Sequence, residues 1–469
     1  MKIIKQSLII LSVLATLTAF SQKKSIEFWE NGQKKSQGKL IDSTKVGKWE
    51  YWYPNGREKA IELYDKTGNK TGQWNEWYED GNIFRQYNYK KGLFTSRYNN
   101  GRLMEKGLLE DGEKTGKWIS YHTNGKEMKT SIYSNGKLNG ISMEYYKTGK
   151  VSFVGNFENG EAVGDAKWFY PNKKRKLEGS FINGEQNGIW KSYHKNGVIA
   201  SEGNYENGKK EGVWEYWFED SKISQKGSFT NDVKTGSWIS YYENGKKKRE
   251  GSFENDIETG KWTHWYENGA IQSSGYFKTG MKTGEWTVFY KNGKKQSTGT
   301  YNQNGDKTGS WNSWYQTGQK QNELIVETGN FSEWYISGEK RAEGKLFDNV
   351  KDGKWVLYYA SGKIQEESFY KNGKKEGKST EYYESGKKSF LGNYINGEVD
   401  GFATWWYSNG FFEMKGKSIE GLQDSIWEFY HENGNIGSKG SFLKGDQDGE
   451  WTYFYETKQL WKKGNFKNG

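Results

Sequence analysis

Apolar positions along this chain are aromatic far more often than aliphatic, and they recur with a spacing of 24 residues. One phrase carries the rhythm: Gly188-Ile-Trp190-Lys-Ser-Tyr193-His194-Lys-Asn196-Gly197, then Gly203-Asn-Tyr205-Glu-Asn207-Gly208. It returns at Trp214, Trp238, Trp262 and Trp286, and the glycine of its second half returns in step at Gly227, Gly251, Gly275 and Gly299. Aromatics favour strands, and Asn-Gly is a strong hairpin signal because both residues accept positive φ. Each unit therefore predicts a β-hairpin. Counting outward from Asn244-Gly245 as a two-residue turn sets Tyr242 against Lys247 and Trp238 against Gly251. The same count sets Trp190 against Gly203, Trp214 against Gly227, Trp262 against Gly275, and Trp286 against Gly299. A large indole opposite a bare glycine covers exposed backbone, so these are read as structural Trp–Gly pairs.

Phe253 and its equivalents lead through a short polar loop to the next tryptophan, which joins the hairpins into an antiparallel meander. The fold class is all-β: a hairpin meander or solenoid of about 19 repeats, with no helical domain. Side chains alternate faces along a strand. The anchor Trp and the Tyr four residues later then share one face, and the aromatic three residues later lies on the other. That second row, with Trp77, Trp217, Tyr241, Trp265, Phe289, Trp314 and Tyr358, is the candidate binding face.

A longer period lies inside the short one. Anchor positions fall at Ser25, Trp49, Trp74, Phe94, Trp118, Ser142, Ala166, Trp190, Trp214 and Trp238. They continue at Trp262, Trp286, Trp311, Phe331, Trp355, Ser379, Ala403, Trp427 and Trp451, each 237 residues after its counterpart. The irregular spacings and the degenerate anchors agree in order, which implies tandem duplication of a ten-hairpin block. Block one runs over 22–261; block two runs over 262–469 and holds nine hairpins. The shortened units 74–93 and 311–330 break the rule, since Tyr87 and Leu324 stand where glycine belongs. They read as a deletion copied by the duplication, or as a bend or recognition point in each block.

Composition fits this picture. Of the residues, 33% are hydrophobic and 17% aromatic, so aliphatics are scarce, and mean hydropathy is −1.06. That would suggest disorder, but 2 prolines and 23 tryptophans argue against it. Residues 1–21 read as a secretory signal: Lys2 and Lys5, an apolar stretch from Ser7 to Phe20, and Ala19-Phe20-Ser21 as the cleavage region. The expected location is outside the cytoplasm: periplasmic, outer-envelope or secreted. With no cysteine there is no disulfide and no thiolate metal site. Removing the two signal lysines takes the net charge from +11 to +9. Basic runs such as Lys173–Lys176 and Lys246–Arg249 are flanked by acids and read as solvated turns, so no nucleic-acid partner is expected.

Catalytic patterns are missing from the sequence. His122, His194 and His431 hold the place of Tyr242, and His264 lies two residues after its anchor. No metalloprotease, phosphate-loop, nucleophile-elbow or calcium-loop spacing occurs. Carboxylates recur at turns, whereas acid–base chemistry needs a differentiated pocket. An enzyme is therefore not expected, and neither is a cofactor.

The unit Gly-x-Trp-x-x-Tyr-Tyr-x-Asn-Gly-Lys with its Gly-x-Phe-x-Asn-Gly partner, clearest at 236–262, resembles the MORN-repeat variant of bacterial proteins. Such repeats are catalogued with YwqK-type antitoxins. The resemblance spans about 23–469 and implies hairpins that make protein or membrane-lipid contacts, with no catalytic residues to carry over. Three function readings result: an exported scaffold binding a protein, an antitoxin-like inhibitor of a toxin or effector, and a binder of envelope glycan or anionic lipid.

Overall fold

The computed structural model describes residues 22–469; the signal expected at 1–21 lies outside the described residues. Those residues form thirty-nine strands and no helix. Nineteen hairpins account for thirty-eight strands, and one more arises where Asp400 separates Glu398–Val399 from Gly401–Trp406. The chain divides into two compact units, Met1–Lys222 with Phe229–Asp232, and Ile223–Ser228 with Val233–Gly469. In each unit, strands consecutive in sequence pair antiparallel, and substantial packing is confined to sequence neighbours. The block boundary at 261/262 falls inside the second unit.

One hairpin, Val233–Tyr241 with Lys247–Glu254, shows the local rules. Trp238 pairs with Gly251, in the register counted from the sequence, but the route to it differs. Tyr242 N–H donates to the Lys246 carbonyl, so the loop is Glu243-Asn244-Gly245, and in it only Gly245 has positive φ, at 83°. Tyr242 thus faces Lys246, not Lys247. Closer to the anchor, Ser240 pairs with Arg249 and Tyr241 with Lys247, leaving Lys248 as a bulge. The longer turn and the bulge each displace the register by one residue, in opposite directions. Asn244 is favoured because its Oδ1 accepts the Lys246 N–H at 2.9 Å while its Nδ2 donates to the Glu267 carbonyl of the next hairpin at 2.8 Å. The true two-residue turn lies at the opposite end: Glu254 pairs with Ile257 around Asn255 and Asp256, with φ of 52° and 63°.

A second irregularity re-aims the tryptophans. Between Lys247–Glu254 and Ile257–Trp265, Glu250 pairs with Thr263 and Ser252 with Thr259. Gly260 (φ 66°), Lys261 and Trp262 bulge opposite Gly251. The Trp262 indole lies across Gly251, where a Cβ would overlap it, and its Nε1 donates to the Ser252 carbonyl at 3.2 Å. This corrects the pairing read from sequence. Gly251 lies opposite Trp238 but is covered by Trp262, one hairpin later. Likewise Trp214 covers Gly203, Trp238 covers Gly227, Trp286 covers Gly275, and Trp311 covers Gly299; Trp190 covers Gly179.

Candidate interaction surface

On the anchor face, Phe253 stands edge-on between Trp238 and Trp262, at centroid separations of 6.1 and 5.1 Å. Phe277 repeats this between Trp262 and Trp286, at 6.3 and 5.1 Å. Lysines four residues before an anchor lie over the rings: Lys234 Nζ is 4.6 Å from the Trp238 centroid, and Lys282 is 4.5 Å from that of Trp286. Before Trp262 that position is Glu258, which instead accepts from Arg249, and the Arg249 guanidinium lies 4.5 Å from the Trp262 ring centroid. With a flat indole, edge-on phenyls and a cation above, these tryptophans are buried without a second layer of structure.

The Tyr four residues after the anchor lies past the strand end and forms a ladder along the turns. Tyr242 donates to the Trp265 carbonyl at 2.7 Å, and Tyr266 to that of Phe289 at 2.8 Å. His122, His194 and His431 place Nε2 2.9, 2.8 and 2.9 Å from the equivalent carbonyls of Tyr145, Trp217 and Phe454. The bond to a carbonyl selects the Nε2–H tautomer and makes each histidine a rung of the ladder. His264 stacks on Trp262 at 6.2 Å and 25°, and its pKa is lowered by burial and then by Arg249. Among the described residues, no cluster of His, Asp and Glu is placed to hold a metal ion.

The candidate binding row is half-buried throughout: Trp77, Trp217, Tyr241, Trp265, Phe289, Trp314 and Tyr358 all fall between buried and exposed. Several rings carry neighbours. Lys247 lies 5.6 Å from the Trp265 centroid, and Lys295 is 5.9 Å from that of Trp314. Tyr358 donates to Glu343 at 2.6 Å and, mainly through burial, its pKa is pushed up to about 12. Glu428 on the same face accepts from Lys439 at 2.7 Å and Tyr430 at 2.7 Å, with Lys415 at 3.1 Å. The Lys439 bond leads in holding this carboxyl down to about 2.

That depression has a checkable sign. A carboxylate held below its ordinary value stabilises the fold fully above about pH 5, and the contribution fades as pH falls toward about 2. Glu428→Gln is expected to speed local hydrogen exchange at neutral pH and to make no difference near pH 2. An equal effect at both pH values would contradict this assignment.

Sequence reasoning missed the exposed aliphatics of this face. Leu93 is 60% exposed and pairs with Leu108, and Ile141 is 58% exposed. Ile132 is exposed too, and Val213 and Ile189 continue the set. Four of these (Leu93, Ile141, Ile189 and Val213) lie one residue before an anchor, as do the exposed Phe402 and Ile426, where the remaining units carry polar residues. An apolar residue at a position defined as outward by the repeat was the available signal.

The shortened units place Trp74 opposite Tyr87 and Trp311 opposite Leu324, as counted. In the first, Trp74, Tyr87, Leu109 and Trp118 form a buried cluster backed by Tyr64, Tyr89, Phe94 and Tyr133. An extra aromatic fills the place of glycine, so the anchor face of the shortened hairpin is repacked.

Both units are therefore built from one repeated element: an aromatic hairpin that covers the glycine of the hairpin before it. The chain belongs to the MORN repeat variant family, whose pattern matches residues 70–91, 162–183, 186–207, 210–231, 234–255, 258–279, 282–303, 351–372, 375–396, 423–444 and 447–468. Together these make up just over half of the chain. A search of curated proteins finds no match. Solved structures similar to the chain include the TcdB2-TccC3-Cdc42 complex, at 8% identity and TM-score 0.14, covering 95% of this chain and 27% of that one. TcdB2-TccC3 is similar at 8% identity and TM-score 0.15, with the same coverages. A Tc holotoxin pore of Photorhabdus luminescens is similar at 9% identity and TM-score 0.15, covering 94% and 26%. The chain spans about a quarter of the length of these structures.

Proposed function

We propose that this repeat scaffold is exported and non-catalytic, and that it binds a protein partner across the face opposite its anchor tryptophans. The observation that carries this reading is the exposed aliphatic set around Leu93, Leu108, Ile132 and Ile141, on a face that also bears aromatic rings and paired charges. Monomeric proteins seldom leave neighbouring aliphatics exposed on a sheet unless something covers them. Aromatic, apolar and charged groups side by side are the usual composition of a protein contact. Export rests on the leader-like residues 1–21, and the non-catalytic reading rests on near-equal repeats whose histidines and carboxylates serve as rungs and turn caps.

The exposed aliphatics beside paired charges on this face place the protein reading ahead of the glycan and lipid ones. An antitoxin-like inhibitor is one form of the same reading, with a toxin or effector as the partner. The test is cross-linking of the native protein in its own envelope, with the partner identified by mass spectrometry. A partner whose cross-links map to this face, and whose binding is lost in Leu108→Lys combined with Ile141→Lys, is the expected result. Retention of every partner by that double variant would refute the reading.

A further inference from the structure

In several hairpins the bulged residue of the returning strand lies over the aromatic that starts the turn. Lys59 Nζ is 5.6 Å from the Tyr53 ring centroid, Lys248 is 5.7 Å from that of Tyr242, and the Arg341 guanidinium is 5.8 Å from that of Tyr335. Where the bulged residue is Phe84, its ring centroid is 5.0 Å from that of Tyr78. The hairpin Leu422–Tyr430 with Ile436–Leu443 differs from these. Its bulged residue is Gly437, which leaves His431 uncovered, and the next hairpin carries Trp461 at the same position.

Gly437 and Trp461 help to line a cavity of about 870 Å³ between these two hairpins, together with His431, Ser438, Tyr453 and Tyr455 among others. Trp461 is 55% exposed, and its ring meets Tyr455 at 6.0 Å and Tyr453 at 6.1 Å. At the equivalent position Lys59, Lys248 and Arg341 are exposed, whereas Phe84 is half-buried. The volume is typical of small-molecule sites. Residues 237 positions earlier are Ala200, Phe218 and Ser224 in place of Gly437, Tyr455 and Trp461, so block one lacks the Trp461 ring.

We propose that this cleft binds a ring of an uncharged saccharide, stacked on Trp461. The aromatic wall supplies a flat apolar surface for the C–H face of a pyranose. Ser438 and Tyr453 supply hydroxyls, Gln459 an amide, and Glu456 a carboxylate, all lining the same cavity. A cationic ligand is disfavoured, because Lys462 already holds its ammonium 4.3 Å from the Tyr453 ring centroid and 5.1 Å from that of Trp461. A purely apolar ligand would leave the polar lining unpaired. The site is separate from the face assigned to a protein partner, and either can fail alone.

Titration calorimetry of the whole protein with chitotriose, cellotriose and maltotriose tests the proposal, with choline and indole as rival probes. At least one trisaccharide is expected to bind with Kd of about 1 mM or tighter. Trp461→Ala is expected to weaken that binding about tenfold or more. Gly437→Gln restores the residue type found at Gln272 and Gln296 and is expected to close the slot; its Cβ would stand 3.1 Å from the His431 ring, which must give slightly. Unchanged exchange protection in the other hairpins shows that both variants fold. The proposal is overturned if no trisaccharide binds, if binding survives both variants, or if choline or indole occupies the cleft instead.

Discussion

Trp262→Ala is expected to destabilise its part of the array by about 3–5 kcal/mol, among the largest costs of any single replacement in the second unit. Trp262 is fully buried. Its removal deletes the ring that covers Gly251, the contact surface of Phe253 and Phe277, and the donor to the Ser252 carbonyl. Neighbouring hairpins cannot close the gap, because no second layer stands above it. In an array whose elements touch only their neighbours, such a loss stays local. The measurement is therefore hydrogen exchange resolved along the chain, with protection lost across about 247–278 and retained in distant hairpins. Uniform loss of protection along the whole chain would show that the units are not energetically independent.

The second large effect concerns Gly251. A serine there adopts the backbone without strain, but its Cβ overlaps the rigid indole of Trp262, so Gly251→Ser is expected to cost about 1–3 kcal/mol. The decisive measurement is coupling. In a Trp262→Ser background the serine at 251 is expected to cost nothing further; in a Trp238→Ser background it keeps its full cost. A coupling of about 1–3 kcal/mol with Trp262 alone is the predicted outcome. The chain already contains the compensated form twice. Ser131 lies opposite Trp118, yet its hydroxyl meets that of the next anchor, Ser142, at 2.8 Å. Ser368 lies opposite Trp355 and meets Ser379 at 2.5 Å. Equal coupling of Gly251 to Trp238 and Trp262 would contradict the offset covering.

Those serine pairs also mark how far the chemistry was legible without coordinates. If Trp118 were the ring that needs a glycine at 131, serine could not stand there. The covering ring must belong to the next anchor, and that anchor is Ser142. The clue was in the sequence, obscured by a count that reached the right register through the wrong turn. The histidines were legible as aromatic substitutes because position alone identified them; only the carbonyl 2.8–2.9 Å away shows what they replace, a donor as well as a ring. The exposed aliphatics were readable too, but their exposure depends on the lack of any covering element, which no local pattern states.

The sequence by itself determined the repeating hairpin, the register of Trp238 on Gly251 and the two shortened units. All of these follow from spacing, because strand pairing and turn chemistry act over a few residues and repeat wherever the residues repeat. Tertiary structure decided which ring covers which glycine, which faces stay open, and where a cavity forms. Those outcomes depend on a bulge at Lys248, which shifts the pairing by one residue, and on one at Gly260–Trp262, which shifts it by two. A one-residue shift changes the partner of every side chain it carries, while the count of residues between landmarks stays the same.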